Sequence, residues 1–229
     1  MDWSAIFGVL VLAGWSADQS HSAWTIDEVG RVRSACRAAE NEAPIWRAGD
    51  ETLLCISGST DEAMLEAFQA LGPEPFDGVR AVQVTSQGGA LWVALEIAEP
   101  LSRAELPVIA QGLCISSCAQ FIFMAGSPKI VAPNSVVAMH GGPLRLDRLI
   151  SGEFDAEAER NLLRESLRFY EFYDRLDIDI DIVKTPPPSV QERLANGEIV
   201  FWAPTLEDYH RYGADNVIMI EGPEPSSEP

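Results

Sequence analysis

Positive charge is scarce in this sequence. Its 229 residues hold 16 Lys and Arg against 35 Asp and Glu, a net charge of -19 with histidine neutral. A surface of that sign cannot neutralise phosphates, which excludes nucleic acid as a partner, and it offers no patch for anionic lipid. Apolar runs of membrane-spanning length are also lacking. The run from Ala5 to Ala13 has the length of a signal-peptide core and is too short for a comfortable span. Asp2 stands where a basic residue usually opens such a segment. Residues 1–23 therefore read as a signal peptide cleaved after Ala17 or Ala23, or as an N-terminal anchor. Metal-ligand patterns are poor: one Cys-x3-Cys without a neighbouring His or second pair is no zinc site. The acidic run from Asp177 to Asp181 lacks the Gly and terminal Glu of a calcium loop. No metal or other cofactor is expected.

What is present is a globular composition, 47% hydrophobic, and a length that fits one domain with appendages. Strand-like and helix-like segments alternate from residue 50 to 140. Thr52 to Ser57 and Val79 to Thr85 read as strands, and Thr60 caps a helix running through Leu71 to Gly72-Pro73. This alternation predicts an α/β fold with a mainly parallel sheet covered by helices. In such sheets a site lies at the carboxyl ends of the strands.

Two strand-to-helix turns stand at such ends. The first is Ser86-Gln87-Gly88-Gly89, before a helix over Ala90 to Ala98; paired glycines let backbone approach a ligand closely and present an N–H to an oxyanion. The second runs from the apolar strand at Val108 through Gly112-Leu113-Cys114-Ile115-Ser116-Ser117-Cys118 into an apolar helix. Ser116 or Ser117 then sits at the first turn of a buried helix, where free amides and the helix dipole favour developing negative charge. The commoner role of such a serine is an N-cap. A nucleophile needs a base, and His140 closes the next apolar segment.

Thr85 to Gly89, Gly112 to Ser117, Ala125-Gly126, Pro133-Asn134-Ser135 and Met139-His140, in that order, resemble the proteolytic subunit of Clp protease within the Clp/crotonase superfamily. The resemblance covers about residues 50 to 220 and is strongest from Val79 to His140. It implies a spiral of β-β-α units. It implies peptide-bond hydrolysis by acyl transfer, with Ser117 as nucleophile, His140 as general base and the backbone N–H groups of Gly88 and Cys118 as the oxyanion hole. The family's third member, an aspartate, aligns at Val200; Glu198 is the nearest carboxylate, with Asp177, Asp179 and Asp181 as more distant candidates. Two other functions fit the same pattern. One is a fold that keeps Ser117 and His140 but serves as a binding or scaffold protein. The other is an acyl-CoA enzyme, whose substrate phosphates suit an acidic chain poorly.

Four cysteines allow three pairings. Cys114 and Cys118, four apart around a helix start, can come within bridging distance, which leaves Cys36 for Cys55. Buried thiols are the alternative. Disulfides agree with export to the periplasm, where no ATPase partner is expected. Thr25 to Glu40 is amphipathic and, with Trp46 to Asp50 read as a turn, makes residues 24–49 a helical extension. Glu153 to Leu176 reads as a long helix with Leu163, Leu167, Tyr170 and Tyr173 on one face. In the resembling family this region is the handle that joins subunits, which implies a homo-oligomer. His210 reads as a helix-surface residue, and the acidic, Pro-rich segment 221–229 as a disordered tail.

Overall fold

The computed structural model describes residues 24–140, 156–196 and 201–222. The expected signal segment, Glu198, Val200 and most of the acidic tail lie outside the described residues. Among the described residues the strands form one sheet in the order β1 (Ile45–Ala48), β2 (Leu53–Thr60), β3 (Ala81–Gly89), β4 (Val108–Ile115), β5 (Lys129–Val131) and β7 (Val217–Met219), with β6 (Val136–Ala138) on the outer part of β4. β1 pairs antiparallel to β2, and the remaining ladders are parallel. This is the mainly parallel α/β arrangement that the alternating pattern predicts.

Period-two alternation divides the sheet into two faces. One face turns Leu54, Ile56, Val82, Val84 and Ala110 toward α2 (Glu62–Gln69), α3 (Leu91–Ala104) and the helix after β4. The long helix α4 (Ala156–Arg175) lies on the same core through Phe169, Phe172 and Tyr173, whose rings cluster about Phe121. The buried face of α4 is thus Ser166, Phe169, Phe172 and Tyr173, while Leu163, Leu167 and Tyr170 are 47%, 62% and 37% exposed. The expected stripe shared only Tyr173 with it. Leu repeats and Phe repeats both fit a 3.6-residue period, and the larger rings took the core. Arg168 ties α4 to α3 by bonds to Glu96 at 2.8 Å and Glu99 at 3.1 Å.

The other face carries α1 (Ile26–Ala38), started by a Thr25–Glu28 capping box. Val29, Val32 and Cys36 pack with Trp46, Leu53, Cys55, Ala81, Ile109 and Ile130. A disulfide joins Cys36 to Cys55, and the Trp46 indole N–H donates to the Cys36 carbonyl. Of residues 46–50, expected as a turn, only Gly49-Asp50 turn; Trp46 to Ala48 belong to the edge strand β1, because Ile45, Trp46 and Ala48 all find apolar cover. Asp61, not Thr60, caps α2, through a bond from the Met64 N–H.

One irregularity prepares the site. Between Val84↔Ala110 and Ser86↔Cys114, β4 advances by two residues more than β3. Gly112 sits in this bulge at φ +71°, and its N–H donates to the Ser135 hydroxyl at 2.8 Å. Beyond it β4 leaves β5 and pairs with β6, Ile115 opposite Ala138. Ser116 and His140 therefore emerge from neighbouring strands on the carboxyl edge.

Candidate functional site

Four strand ends meet at this edge: Thr60 from β2, Gly88 and Gly89 from β3, Ser116 and Ser117 from β4, and His140 beyond β6. Ser116 has a positive φ of 58°, a left-handed conformation that side-chain-bearing residues seldom adopt. It is held there from both sides. Its N–H donates to the Ala138 carbonyl at 3.0 Å, and its own carbonyl accepts from the Gln120 N–H at 2.9 Å. A disulfide between Cys114 and Cys118 brackets the turn. Sharp backbone of this kind lifts a hydroxyl clear of the chain, and the Ser116 Oγ stands 2.7 Å from His140 Nε2.

His140 is fixed with equal care. Met139 and Trp202 exchange backbone bonds of 2.8 Å, the Gln120 amide donates to the His140 carbonyl at 2.6 Å, and the Phe201 ring meets the imidazole edge-on at 5.3 Å. Gln120 is itself buried, and the Tyr173 hydroxyl donates to its carbonyl at 2.8 Å. Burial pushes that phenol well above its ordinary range. The hydroxyl stays protonated and remains a donor.

Ser117 has a different environment. Its side chain is 3% exposed, accepts the Gly89 N–H at 2.8 Å, donates toward the Gly89 carbonyl at 3.0 Å and shares a 3.1 Å bond with the Thr60 hydroxyl. The serine at hydrogen-bond distance from His140 is thus Ser116, one position before the serine that the family spacing selects. The helix that follows, Cys118–Phe123, is a π-helix.

Both glycines stand where neighbouring backbone comes close. A Cβ on Gly88 would lie 2.7 Å from the Ile115 carbonyl and from the Ser116 Cβ, and 2.9 Å from the Ser117 nitrogen. One on Gly89 would lie 2.7 Å from the Thr60 carbonyl. Their amides are both engaged: Gly88 N–H donates to the Ser86 hydroxyl at 3.0 Å and Gly89 N–H to Ser117. Cys118 is buried in the first turn of the π-helix, held by its disulfide.

Asp177, Asp179 and Asp181 make local contacts away from this edge. Asp179 accepts the Asp181 N–H at 2.9 Å, Asp181 faces Lys184 at 3.7 Å, and Gly213 packs on the Asp177 carbonyl. His210 lies exposed on the short helix Leu206–Arg211, as expected. The sequence pattern does not single out Thr60, Ser86 or Gln120 as site residues. Only Gln120, a polar residue inside the apolar helix from Cys118, carried a signal that could have marked it.

Among the described residues no group of His, Cys, Asp and Glu is arranged to hold a metal ion. No described helix is long and apolar enough to cross a membrane. No protein-family model matches the chain, and no curated protein sequence matches it. Among solved structures the chain is similar to a ClpP1 point mutant from Listeria monocytogenes, at 15% identity and a TM-score of 0.43, over 76% of this chain and 93% of that one.

Proposed function

We propose that the chain is an exported serine hydrolase that cleaves peptide bonds, with Ser116 as nucleophile and His140 as general base. The observation that carries this reading is the 2.7 Å contact between the Ser116 Oγ and His140 Nε2, made by a serine at φ 58°. Ser116 Oγ attacks the carbonyl carbon and its proton passes to His140 Nε2; the imidazolium then returns a proton to the leaving amine, and water repeats the sequence on the acyl-enzyme. With the nucleophile one residue earlier, the amide after it is that of Ser117 rather than Cys118. The Ser117 and Gly88 amides are the donors assigned to the oxyanion, which requires the Gly88 N–H to leave the Ser86 hydroxyl that it now meets at 3.0 Å. Glu198 is retained as the carboxylate that orients His140, because it lies three residues before Phe201, whose ring touches the imidazole. Leu113 and Val136, paired in register and exposed beside the turn, give an apolar surface for the acyl side of a peptide.

Export is supported by the two disulfides, which persist in oxidising compartments. A homo-oligomer through α4 is supported by the exposed Leu163, Leu167 and Tyr170. A second reading, a binding protein without turnover, is favoured by one observation: both glycine amides are already bonded to serine hydroxyls.

The test is labelling of the disulfide-intact protein by a fluorophosphonate, wild type against His140→Ala. Labelling that falls by about two orders of magnitude in the variant supports the hydrolase. A folded wild type that resists the reagent throughout the neutral range contradicts it and leaves the binding reading.

A further inference from the structure

The ladder between β4 and β6 stops where β4 turns away. Its register runs from Leu113 with Val136 to Ile115 with Ala138, and it closes with the Ser116 N–H on the Ala138 carbonyl at 3.0 Å. Bonds in a parallel ladder are evenly spaced, so each strand donates at every second residue. Had β4 run on, its next donor, the Cys118 N–H, would have met the His140 carbonyl. The positive φ of Ser116 turns the chain instead, and Cys118 opens the π-helix. On the far side of β6, Met139 gives both its backbone groups to Trp202 at 2.8 Å. The carbonyl after such an antiparallel pair points the opposite way. That of His140 is therefore aimed at a ladder that has ended.

Gln120 fills the gap. Its side-chain Nε2 donates to the His140 carbonyl at 2.6 Å, and its own N–H donates to the Ser116 carbonyl at 2.9 Å. One residue is thus bonded to both members of the serine–histidine pair. It is 3% exposed, in a turn whose other members, Cys118, Ala119, Phe121, Ile122 and Phe123, are all buried and apolar. An amide in such surroundings is costly unless its hydrogen bonds are met. A methionine of similar length would fill the space without that cost. The Tyr173 hydroxyl, which donates to the Gln120 carbonyl at 2.8 Å, holds the residue from α4.

We infer that Gln120 is a positioning residue: its side-chain amide stands in for the lost ladder N–H and keeps His140 in register with Ser116. Without it the His140 carbonyl loses this donor, and the imidazole moves off the Ser116 Oγ. The consequence for catalysis rests on the reading of Ser116 as nucleophile; the placement of His140 does not.

Two variants separate positioning from packing. Gln120→Met keeps the length and cannot donate. Gln120→Glu donates only while its carboxyl holds a proton, a range that burial extends upward. The titratable groups in hydrogen-bond contact with residue 120 are His140, through its carbonyl, and Tyr173. The disulfide-intact full chain, carrying nitrogen-15 histidine, is read by NMR of the His140 ring with and without Ser116→Ala, and by the rate of fluorophosphonate labelling from pH 6 to 9. The inference expects Ser116→Ala to shift the His140 ring signals in the protein that keeps Gln120 and to leave them unmoved in Gln120→Met. Gln120→Met labels about tenfold to a hundredfold more slowly than wild type. Gln120→Glu approaches the wild-type rate at pH 6 and falls behind it toward pH 9. The inference is overturned by an equal response to Ser116→Ala in folded Gln120→Met, by no response where Gln120 is kept, or by a Gln120→Glu rate in constant ratio to wild type. If Gln120→Met does not fold, Gln120→Glu supplies the ring-signal comparison at pH 6 and pH 9. A wild type that resists the reagent removes the hydrolase reading alone, and the ring signals then decide the role of Gln120.

Discussion

Adjacent serines in one turn receive opposite environments here, and the backbone decides which is which. Ser116, at positive φ, turns its hydroxyl to His140, whereas Ser117 turns inward and closes a buried network with Gly89 and Thr60. A sequence shows two serines; the torsion that separates them is not written in residue type. Orphaned groups mark another decision at this scale. Tyr209 is fully buried beside Phe123 and its hydroxyl has no partner. Burial and the nearby Asp208 raise that phenol above its ordinary range, which keeps the proton on an oxygen with nowhere to donate it. Tyr209→Phe removes the unmet group and keeps the ring, so chemical denaturation should find the variant more stable by about 1 kcal/mol. Equal or lower stability would mean that the hydroxyl is satisfied in solution.

At the scale of elements, two disulfides do different work. Cys36–Cys55, 19 residues apart, ties α1 to β2, and by loop closure contributes about 3 kcal/mol. Cys114–Cys118 closes a loop of four residues' separation, worth about 2 kcal/mol on the same reasoning, and it encloses Ser116. Replacing Cys114 and Cys118 by Ala should therefore cost about 2 kcal/mol and, in protein that remains folded, reduce phosphonate labelling, because the φ of Ser116 is no longer imposed. Replacing Cys36 and Cys55 should cost more stability and leave the labelling of folded protein unaltered. Both pairings are compatible with spacing, as are the strands at residues 53–60, 81–89 and 108–115, since each is an apolar run punctuated by Gly, Pro or polar turns. The π-helix and the bulge at Gly112 are not legible, because each adds residues without changing the apolar pattern. The face of α4 escaped for a related reason: two apolar stripes compete, and only the shape of the core around Phe121 selects between them.

For the whole molecule, charge and burial set the pH response. Lys129 is 3% exposed in β5, donating to the Gly126 carbonyl and the Asn216 side chain at 2.8 Å each, and desolvation lowers its pKa to about 8 from 10.5. Between those values the unfolded chain binds a proton that the folded chain does not, so stability rises as pH climbs from about 8 to 10.5 and is level below about 8, where both states hold the proton. The full effect is about 3 kcal/mol across that window. Denaturant unfolding at pH 7.5 and 9.5 should show this rise in the wild type and its absence in Lys129→Met; identical slopes would place the ammonium in water.

The claim on which the molecular account turns is that the carboxyl edge of the sheet activates Ser116 through His140. It is tested most directly by locating a phosphonate adduct through fragmentation of the labelled peptide, in wild type and in Ser116→Ala and Ser117→Ala proteins of verified fold. The account predicts an adduct on Ser116, absent in Ser116→Ala and retained in Ser117→Ala. An adduct on Ser117 that survives Ser116→Ala would contradict it and return the nucleophile to the position that the family spacing selects.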